Sequence, residues 1–349
     1  MRILVTGGAG FIGSHCVDEL VARGHDVVVI DDLDTAVHRR APDYLNPKAA
    51  YVIGDLLDEA SLERALRGVD AVSHQAALVG MGRGLEDAPR YARVNDVGTA
   101  ILLRHCAAAG IRRLVLASSM AVYGEGAYRC PRHGPQRPAP RRIADLERGR
   151  FDPRCDRCDL ALAPEAIDEE ATPDPRSVYA ATKIHQEHLA FVAMREGGPA
   201  VTALRYHNVY GPRMPRNSPY AGVASIMRSH LAAGEPPRVF EDGGQLRDFV
   251  HVGDVARANA LALERATPAT GAFNIGSGER HTVLDLASAL VAALGSVPPV
   301  VTGAYRPGDV RHIFASSERA ATALGYRAEV PFGEGMRAFA TASLREAVA

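Results

Sequence analysis

Tyr179 and Lys183 are the pair in this 349-residue sequence best suited to moving a proton. They lie four positions apart near the start of an expected helix, so both side chains share one face. An ammonium nearby favours tyrosinate and lowers a phenol toward working pH, which would make Tyr179 an acid/base group. Lys183 and Lys48 are the only lysines among 40 basic residues. A lysine that survives such a bias marks a position that arginine cannot fill, although the bias itself reads as GC-rich coding. The spacing alone is shared by surface Tyr/Lys pairs.

Gly7, Gly10 and Gly13 follow a short apolar run and open a helix-like stretch. Gly7 permits a tight turn, Gly10 lets backbone approach a pyrophosphate, and Gly13 allows close packing of helix on strand. The helix N-terminus adds free N–H groups for phosphate. Asp31 and Asp32 end the second apolar run, 18 positions after Gly13. A carboxylate there can accept from an adenosine ribose diol and repels a 2′-phosphate, favouring NAD over NADP. The alternative is a solvated acidic loop. Asp55 and Leu56 follow the third run and could bracket an adenine.

Cys130 and His133 form a Cys-x2-His pair, and Cys155 and Cys158 a Cys-x2-Cys pair, with 21 residues between them. Two such knuckles suit tetrahedral, structural zinc. The alternatives are incidental cysteines or a redox-active Cys155/Cys158 pair. Cys16 and Cys106 fall in helix-like stretches and read as small core residues.

The elements that must carry these groups alternate. Strands are expected at 2–6, 26–30, 50–53, 70–74 and 112–117, and helices at 11–23, 59–66 and 87–109. Short apolar strands alternating with helices predict an α/β, doubly wound (Rossmann) parallel sheet. Residues 125–168 break the pattern with six prolines and no apolar period, and read as an irregular insertion bearing the Cys/His pairs. A helix at 177–195 and a strand at 200–205 resume it. Helices near 222–233, 253–265, 282–294 and 335–347 suggest a smaller mixed α/β C-terminal unit. The expected division is 1–206 for NAD and 207–349 mainly for substrate, with some segments returning to the first unit.

Together with the glycine turn and the Tyr179/Lys183 pair, Ala117-Ser118-Ser119-Met120-Ala121-Val122-Tyr123-Gly124 resembles the extended short-chain dehydrogenase/reductase superfamily, in its nucleotide-sugar epimerase and dehydratase branch. Arg205-Tyr206-His207-Asn208-Val209-Tyr210-Gly211-Pro212, Arg247-Asp248-Phe249-Val250-His251-Val252 and Arg306-Pro307-Gly308-Asp309 occur in that branch's order. The resemblance implies that Tyr179 is the acid/base, that Lys183 holds the nicotinamide ribose, and that Ser119 hydrogen-bonds the sugar hydroxyl. It implies that Asn208 contacts the substrate diphosphate and that Arg247 and Arg306 neutralise it. Phe11, Ile12, Ala76, Ala77, Asn95 and Tyr206 would line the cofactor. His207 stands where the branch often has Phe, which would alter the substrate pocket. A homodimer built on the 87–109 and 177–195 helices is also implied.

Dehydratases of the branch carry an Asp-Glu pair after the Ser/Thr, and its decarboxylases a Glu. Met120 and Ala121 stand there and can serve neither as acid nor as base. That leaves reactions needing only hydride transfer and one tyrosine, of which the economical one is 4-epimerisation through a 4-keto sugar. Glu125-Gly126-Ala127-Tyr128-Arg129-Cys130-Pro131, the cysteine-bearing insertion and Arg90-Tyr91-Ala92-Arg93-Val94-Asn95 are similar to a bacterial subgroup of dTDP-L-rhamnose 4-epimerases. Other dTDP- or UDP-hexoses, UDP-uronate epimerisation or decarboxylation, and 4-ketosugar reduction stay open. So does a non-catalytic NAD sensor on the same fold.

Composition agrees. The net charge of −1 lacks the basic excess of a nucleic-acid binder. No apolar run spans a bilayer. The start runs directly into a strand rather than a leader, and an odd count of five cysteines argues against a secreted disulfide framework, so a cytoplasmic protein is expected.

Overall fold

The computed structural model describes residues 1–35, 37–38, 42–80, 84–216 and 222–345. β1 (Arg2–Thr6), β2 (Asp26–Asp31), β3 (Ala50–Ile53), β4 (Ala71–His74) and β5 (Arg113–Ser119) are parallel, in spatial order β3-β2-β1-β4-β5. Strands Ala200–Tyr206 and Gly271–Ile275 extend this sheet beyond β5 to seven strands among the described residues. The order reverses at β1, because the chain builds outward to β3 and then crosses to β4. In such sheets ligands bind outside the strand C-termini at the reversal.

Both faces of the sheet are covered, which is why its strands read as continuous apolar runs rather than alternating ones. Ile3 and Val5 pack with Val17 and Leu20 of helix α1 (Phe11–Ala22), and with Val255 and Ala258 of helix Val252–Glu264. Leu4 faces the other side, with Leu102, Leu103 and Cys106 of helix Gly98–Ala108. Cys16 and Cys106 are both fully buried, as expected of small core residues.

The expected 87–109 helix is helical but not uniform: a π-helical turn, Ala92–Val97, joins Ala88–Tyr91 to Gly98–Ala108. Beyond the sheet, helices Val223–Ala232, Val283–Leu294 and Phe332–Thr341 share a second core containing Tyr210, Met227, Phe249, Leu286, Met336 and Phe339. Strand Gly271–Ile275 and helices Val252–Glu264 and Glu318–Leu324 instead pack with the sheet, although they lie late in the chain.

The expected helix at 335–347 differs in the structure. It starts at Phe332 behind Pro331 and stops at Thr341, and residues 346 and 347 lie outside the described residues. Ala342 turns extended because the following backbone pairs elsewhere. Ser343 accepts from Arg213 N–H at 2.8 Å, and Arg345 N–H donates to Met214 at 3.0 Å. Distant pairing overrides helical propensity there.

The insertion is more ordered than its composition predicts. Ala127–Cys130 pairs antiparallel with both Gly134–Gln136 and Ala163–Glu165. The Cys/His pairs sit on a small apolar cluster of Tyr128, Cys130, Cys155 and Leu162, with Cys158 against it, and Leu146 and Phe151 of the lobe are buried outside that cluster. No helix among the described residues is long and apolar enough to cross a membrane.

Candidate active site

The turn after β1 is shaped by close approach. Gly7 has φ +66°, and a Cβ on it would sit 2.7 Å from the backbone of Ala76, after β4. A Cβ at Gly13 would strike the carbonyl oxygen of Gly7. Helix α1 begins at Phe11, and no side chain caps its N-terminus and no acid lies in its first turn. Its first N–H groups and dipole therefore suit a diphosphate. Asp31, at the end of β2, accepts from Ala9 N–H and Leu33 N–H, each at 2.9 Å. A carboxylate has about four acceptor sites, so capacity for a ribose diol persists. This donor and acceptor set fits NAD.

The other residues expected at the cofactor divide. Ala76 N–H donates to Thr6 Oγ1 at 3.1 Å beside Gly7, and Ala77 follows, part-exposed. Asp32 and Asp55 are exposed, whereas Leu56 joins the core. Asn95 is fully buried in the π-helical turn. It accepts from Leu78 N–H at 2.8 Å and donates to Leu78 O at 3.0 Å and Thr182 Oγ1 at 2.9 Å. Its amide hydrogens thus tie the segment after β4 to the helix carrying Tyr179. Tyr206 is buried, its hydroxyl among Asn259 Oδ1 at 3.1 Å and Gln75 Oε1 at 3.2 Å.

Two neighbouring serines are separated by the alternation of β5. Ser118 points into the interior and donates to the Glu187 carboxylate. Ser119 ends the strand, and its Oγ accepts from Ala121 N–H at 3.1 Å. Helix Val178–Arg195 brings Tyr179 and Lys183 to this point, capped by Ser177, which accepts from Ala180 N–H at 3.1 Å. Lys183 is 3% exposed and its Nζ donates to Ala117 O at 2.9 Å. Burial lowers the Lys183 ammonium to about 8, against the opposing charges of Asp96 and Glu187.

Tyr179 behaves differently from the expectation of a lowered phenol. Burial pushes it up to about 12, and a hydrogen bond with Ser119 works in the opposite direction. Lys183 Nζ lies 5.9 Å from the Tyr179 ring centre and is engaged with Ala117. Desolvation sets the direction in the protein alone, and the opposing influence comes from Ser119.

At the other end, Arg247 donates to the carbonyls of Val310 at 2.8 Å and Arg311 at 2.9 Å. Burial holds its guanidinium below the usual range. Arg306 is exposed and lies over the Phe240 ring at 4.9 Å. Asp309 closes that turn through N–H to Arg306 O at 3.2 Å, and burial raises its carboxyl against the charges of Arg306, Arg247 and Arg141. The two arginines expected at a diphosphate thus meet around one turn. Asn208 Oδ1 is buried without a hydrogen-bond partner among the described residues, and so are both ring nitrogens of His207.

Two groups of residues escaped the sequence reading. Arg205 and Glu187 form a buried bidentate pair, Nε to Oε1 at 2.9 Å and Nη2 to Oε2 at 2.7 Å, directly beneath the Ser118–Ser119 step. Arg205 also donates to Tyr123 Oη at 2.9 Å, and Tyr123 donates to Asn274 Oδ1 at 2.8 Å. The helical spacing of Glu187 from Lys183 was a signal that could have found it. Arg311 and His312, gripped by the lobe, carried no such signal.

In the lobe, Cys130, His133, Cys155 and Cys158 present ligand atoms all within 4.8 Å of one another. Cys130 Sγ lies 3.6 Å from Cys158 Sγ and 3.5 Å from His133 Nδ1, which is 3.3 Å from Cys155 Sγ. All three cysteines are free thiols rather than a disulfide.

The sequence model of the NAD dependent epimerase/dehydratase family matches residues 3–143 and 161–276. The unmatched 144–160 segment lies in the lobe and holds Cys155 and Cys158. The chain is 35% identical over 342 residues to a dTDP-L-rhamnose 4-epimerase of Burkholderia thailandensis, covering 96% of this chain and 93% of that one. The crystal structure of Thermus thermophilus UDP-glucose 4-epimerase in complex with NAD superposes with TM-score 0.77 and 34% identity, over 97% of this chain and 98% of that one. Thermotoga maritima UDP-glucose 4-epimerase with UDP-glucose gives 0.78 and 31%, over 97% of each chain.

Proposed function

The chain belongs to the NAD dependent epimerase/dehydratase family and is an NAD-dependent nucleotide-sugar epimerase, and from that premise we propose that it inverts C4 of dTDP-L-rhamnose. The observation that carries the reaction type is the meeting of Ser119, Tyr179 and Lys183 beside Met120 and Ala121, which offer no second acid or base. The similarity to the Burkholderia enzyme supports the sugar nucleotide. UDP-hexoses are the second reading, supported by the likeness to UDP-glucose 4-epimerases.

NAD, when bound, supplies the acceptor and donor of hydride at C4. Tyr179 Oη takes the proton from the 4-hydroxyl and returns it to the 4-keto oxygen after the flat sugar has turned. Ser119 Oγ holds that same oxygen. Lys183 holds the nicotinamide ribose from its buried post against Ala117. Asn208, Arg247 and Arg306 grip the diphosphate, so the keto sugar turns without leaving. Asp31 receives the adenosine ribose, with the 7–13 turn on the pyrophosphate.

A panel of dTDP- and UDP-sugars followed by NMR tests this reading. The expected result is interconversion of dTDP-L-rhamnose and its C4 epimer. Inversion of a UDP-hexose alone would transfer the assignment to the second reading. NAD-loaded protein inert to the whole panel would favour the non-catalytic sensor.

Because the cofactor ends each cycle unchanged, the protein is expected to purify with NAD bound. Extraction after denaturation should release NAD. NADP in the extract, or turnover requiring added NADPH, would point to a ketosugar reductase and contradict the ribose role of Asp31.

We also assign zinc to Cys130, His133, Cys155 and Cys158. Zinc bonds at tetrahedral angles put neighbouring sulfur and nitrogen ligands about 3.5–3.8 Å apart, close to the separations here. Four protein ligands leave no open position, so the ion is structural. Thiolate ligands suit a reducing compartment, the cytoplasm.

A homodimer completes the proposal. Leu85, Val97 and Val192 are 85%, 49% and 47% exposed, apolar, and lie on or beside the helices expected to pair. Light scattering should give twice the chain mass, and a single-chain mass would remove this assignment.

A further inference from the structure

The four metal-site ligands come from two separate arms of the lobe, and each arm grips the same distant segment. From the first arm, Glu125 Oε1 accepts from the backbone N–H of Arg311 at 2.6 Å and of His312 at 3.0 Å, and from the Tyr128 hydroxyl at 2.7 Å. Tyr128 Oη accepts from His312 N–H at 3.1 Å. Gly126 N–H donates to His312 O at 3.0 Å, so closely that a Cβ at Gly126 would strike that oxygen. Tyr128 lies two residues before Cys130 in the same strand.

From the second arm, Asp152 Oδ1 accepts from Arg311 Nε at 2.8 Å and His312 Nε2 at 3.2 Å. Asp152 lies three residues before Cys155. On its other side the same segment receives the Arg247 guanidinium on the carbonyls of Val310 and Arg311. It follows directly on the Arg306-Pro307-Gly308-Asp309 turn. A buried ion pair between Arg141 of the lobe and Glu241, at 2.8 Å, binds the lobe to the C-terminal unit, and Glu241 also meets Arg311 at 2.8 Å.

We propose that the metal centre is a clasp that keeps both arms on residues 306–312, so that bound zinc sets the affinity for the nucleoside diphosphate of the substrate. The inference rests on the zinc and nucleotide-sugar readings above. Its physical basis is the small apolar cluster around the four ligands, Tyr128, Cys130, Cys155 and Leu162, set against the charged groups the lobe must hold in place. A cluster with so little apolar burial draws its folding energy from ligation. Without the metal, the hairpin arm and the Asp152 arm are joined mainly by a short sheet. Asp152 and Glu125 then lose their fixed stance toward Arg311, and the diphosphate turn loosens with it. Both are positioning residues, and they act through Arg311 and His312 rather than on the sugar.

The test compares the unaltered protein with Cys155→Ser and Asp152→Asn. Zinc is measured by elemental analysis, dTDP and UDP binding by calorimetry, NAD by extraction, and backbone mobility of 306–312 by hydrogen exchange. The unaltered protein should hold about one zinc per chain, as four ligands imply. Cys155→Ser should lose it, exchange faster across 306–312, and bind the preferred diphosphate about tenfold more weakly, with NAD retained. Asp152→Asn keeps all four ligands, so it should retain zinc and show the same faster exchange and weaker binding. That second variant guards against a lobe that simply fails to fold. Unchanged exchange and affinity in the zinc-free Cys155→Ser protein, or in Asp152→Asn, would overturn the clasp. Metal-free unaltered protein with freely alkylated thiols would overturn the zinc reading and the clasp together. If neither dTDP nor UDP binds the unaltered protein, the nucleotide-sugar reading falls, and the exchange difference still decides whether the clasp exists.

Discussion

Tyr179→Phe is expected to lower turnover by about 10²–10⁴-fold, the usual contribution of a positioned acid/base group. The substitution removes one oxygen and keeps the ring. That ring packs edge-on to Tyr91, with centres 6.4 Å apart, and Phe preserves the contact. Lys183 stays on Ala117 O, since that bond does not involve the phenol. NAD content and unfolding midpoint should therefore match the unaltered protein, and the loss should fall on kcat. Because burial holds the phenol near 12 in the protein alone, the Ser119 hydrogen bond is the chain's own counterweight in favour of phenolate. Near-normal epimerisation by Tyr179→Phe would overturn the proton-transfer scheme. Loss of NAD together with activity would show that the hydroxyl is structural.

Arg205→Met should be the most destabilising single substitution among the polar residues beneath the site. Arg205 and Glu187 are 5% and 1% exposed and bonded at two points. Removing the guanidinium leaves the carboxylate buried with Ser118 as its remaining hydrogen-bond partner among those described above and the more distant Lys183 ammonium as its opposing charge, and breaking a buried pair by removing one partner costs about 3–5 kcal/mol. Tyr123 loses a donor as well. Urea unfolding of the NAD-loaded protein measures the cost. Pairing Arg205→Met with Glu187→Met should recover much of the loss, because the carboxylate is no longer orphaned and Lys183 keeps the charge of Asp96. A single-variant cost below about 1 kcal/mol would put the pair in the class of surface ion pairs and remove its structural role.

The two experiments separate kinds of contribution that lie only a few residues apart. Tyr179, Lys183 and Glu187 follow one another at four-residue intervals on one helix. In the proposed scheme the first addresses the reacting oxygen, while the second holds a carbonyl of β5 and the third an arginine on the neighbouring strand. One helical face therefore runs from chemistry to scaffold, and the buried charge at its far end fixes the helix against the sheet.

The amino-acid sequence by itself determined the parallel sheet, the glycine turn that opens the first helix and the placing of Tyr179 and Lys183 on one helical face, because each is written in local spacing. Three glycines at intervals of three, a phenol and an amine one helical turn apart, and apolar runs of strand length need no knowledge of distant neighbours. The Cys/His pairs belong in the same class: their types and spacing announce a cluster, and the fold brings all four together. Tertiary structure alone decided the rest. Which of Ser118 and Ser119 faces the site depends on the phase of β5, set by its register with strand Ala200–Tyr206. The end of the last helix depends on backbone pairing with residues 213–216. The direction of the Tyr179 shift depends on desolvation, a property of everything packed around the phenol and not of the lysine four residues away. The hold of the lobe on Arg311 and His312 joins positions more than 150 residues apart, and no periodicity in the chain records it. Burial and long-range hydrogen bonding exist only once the chain has closed on itself, so they are read from the fold.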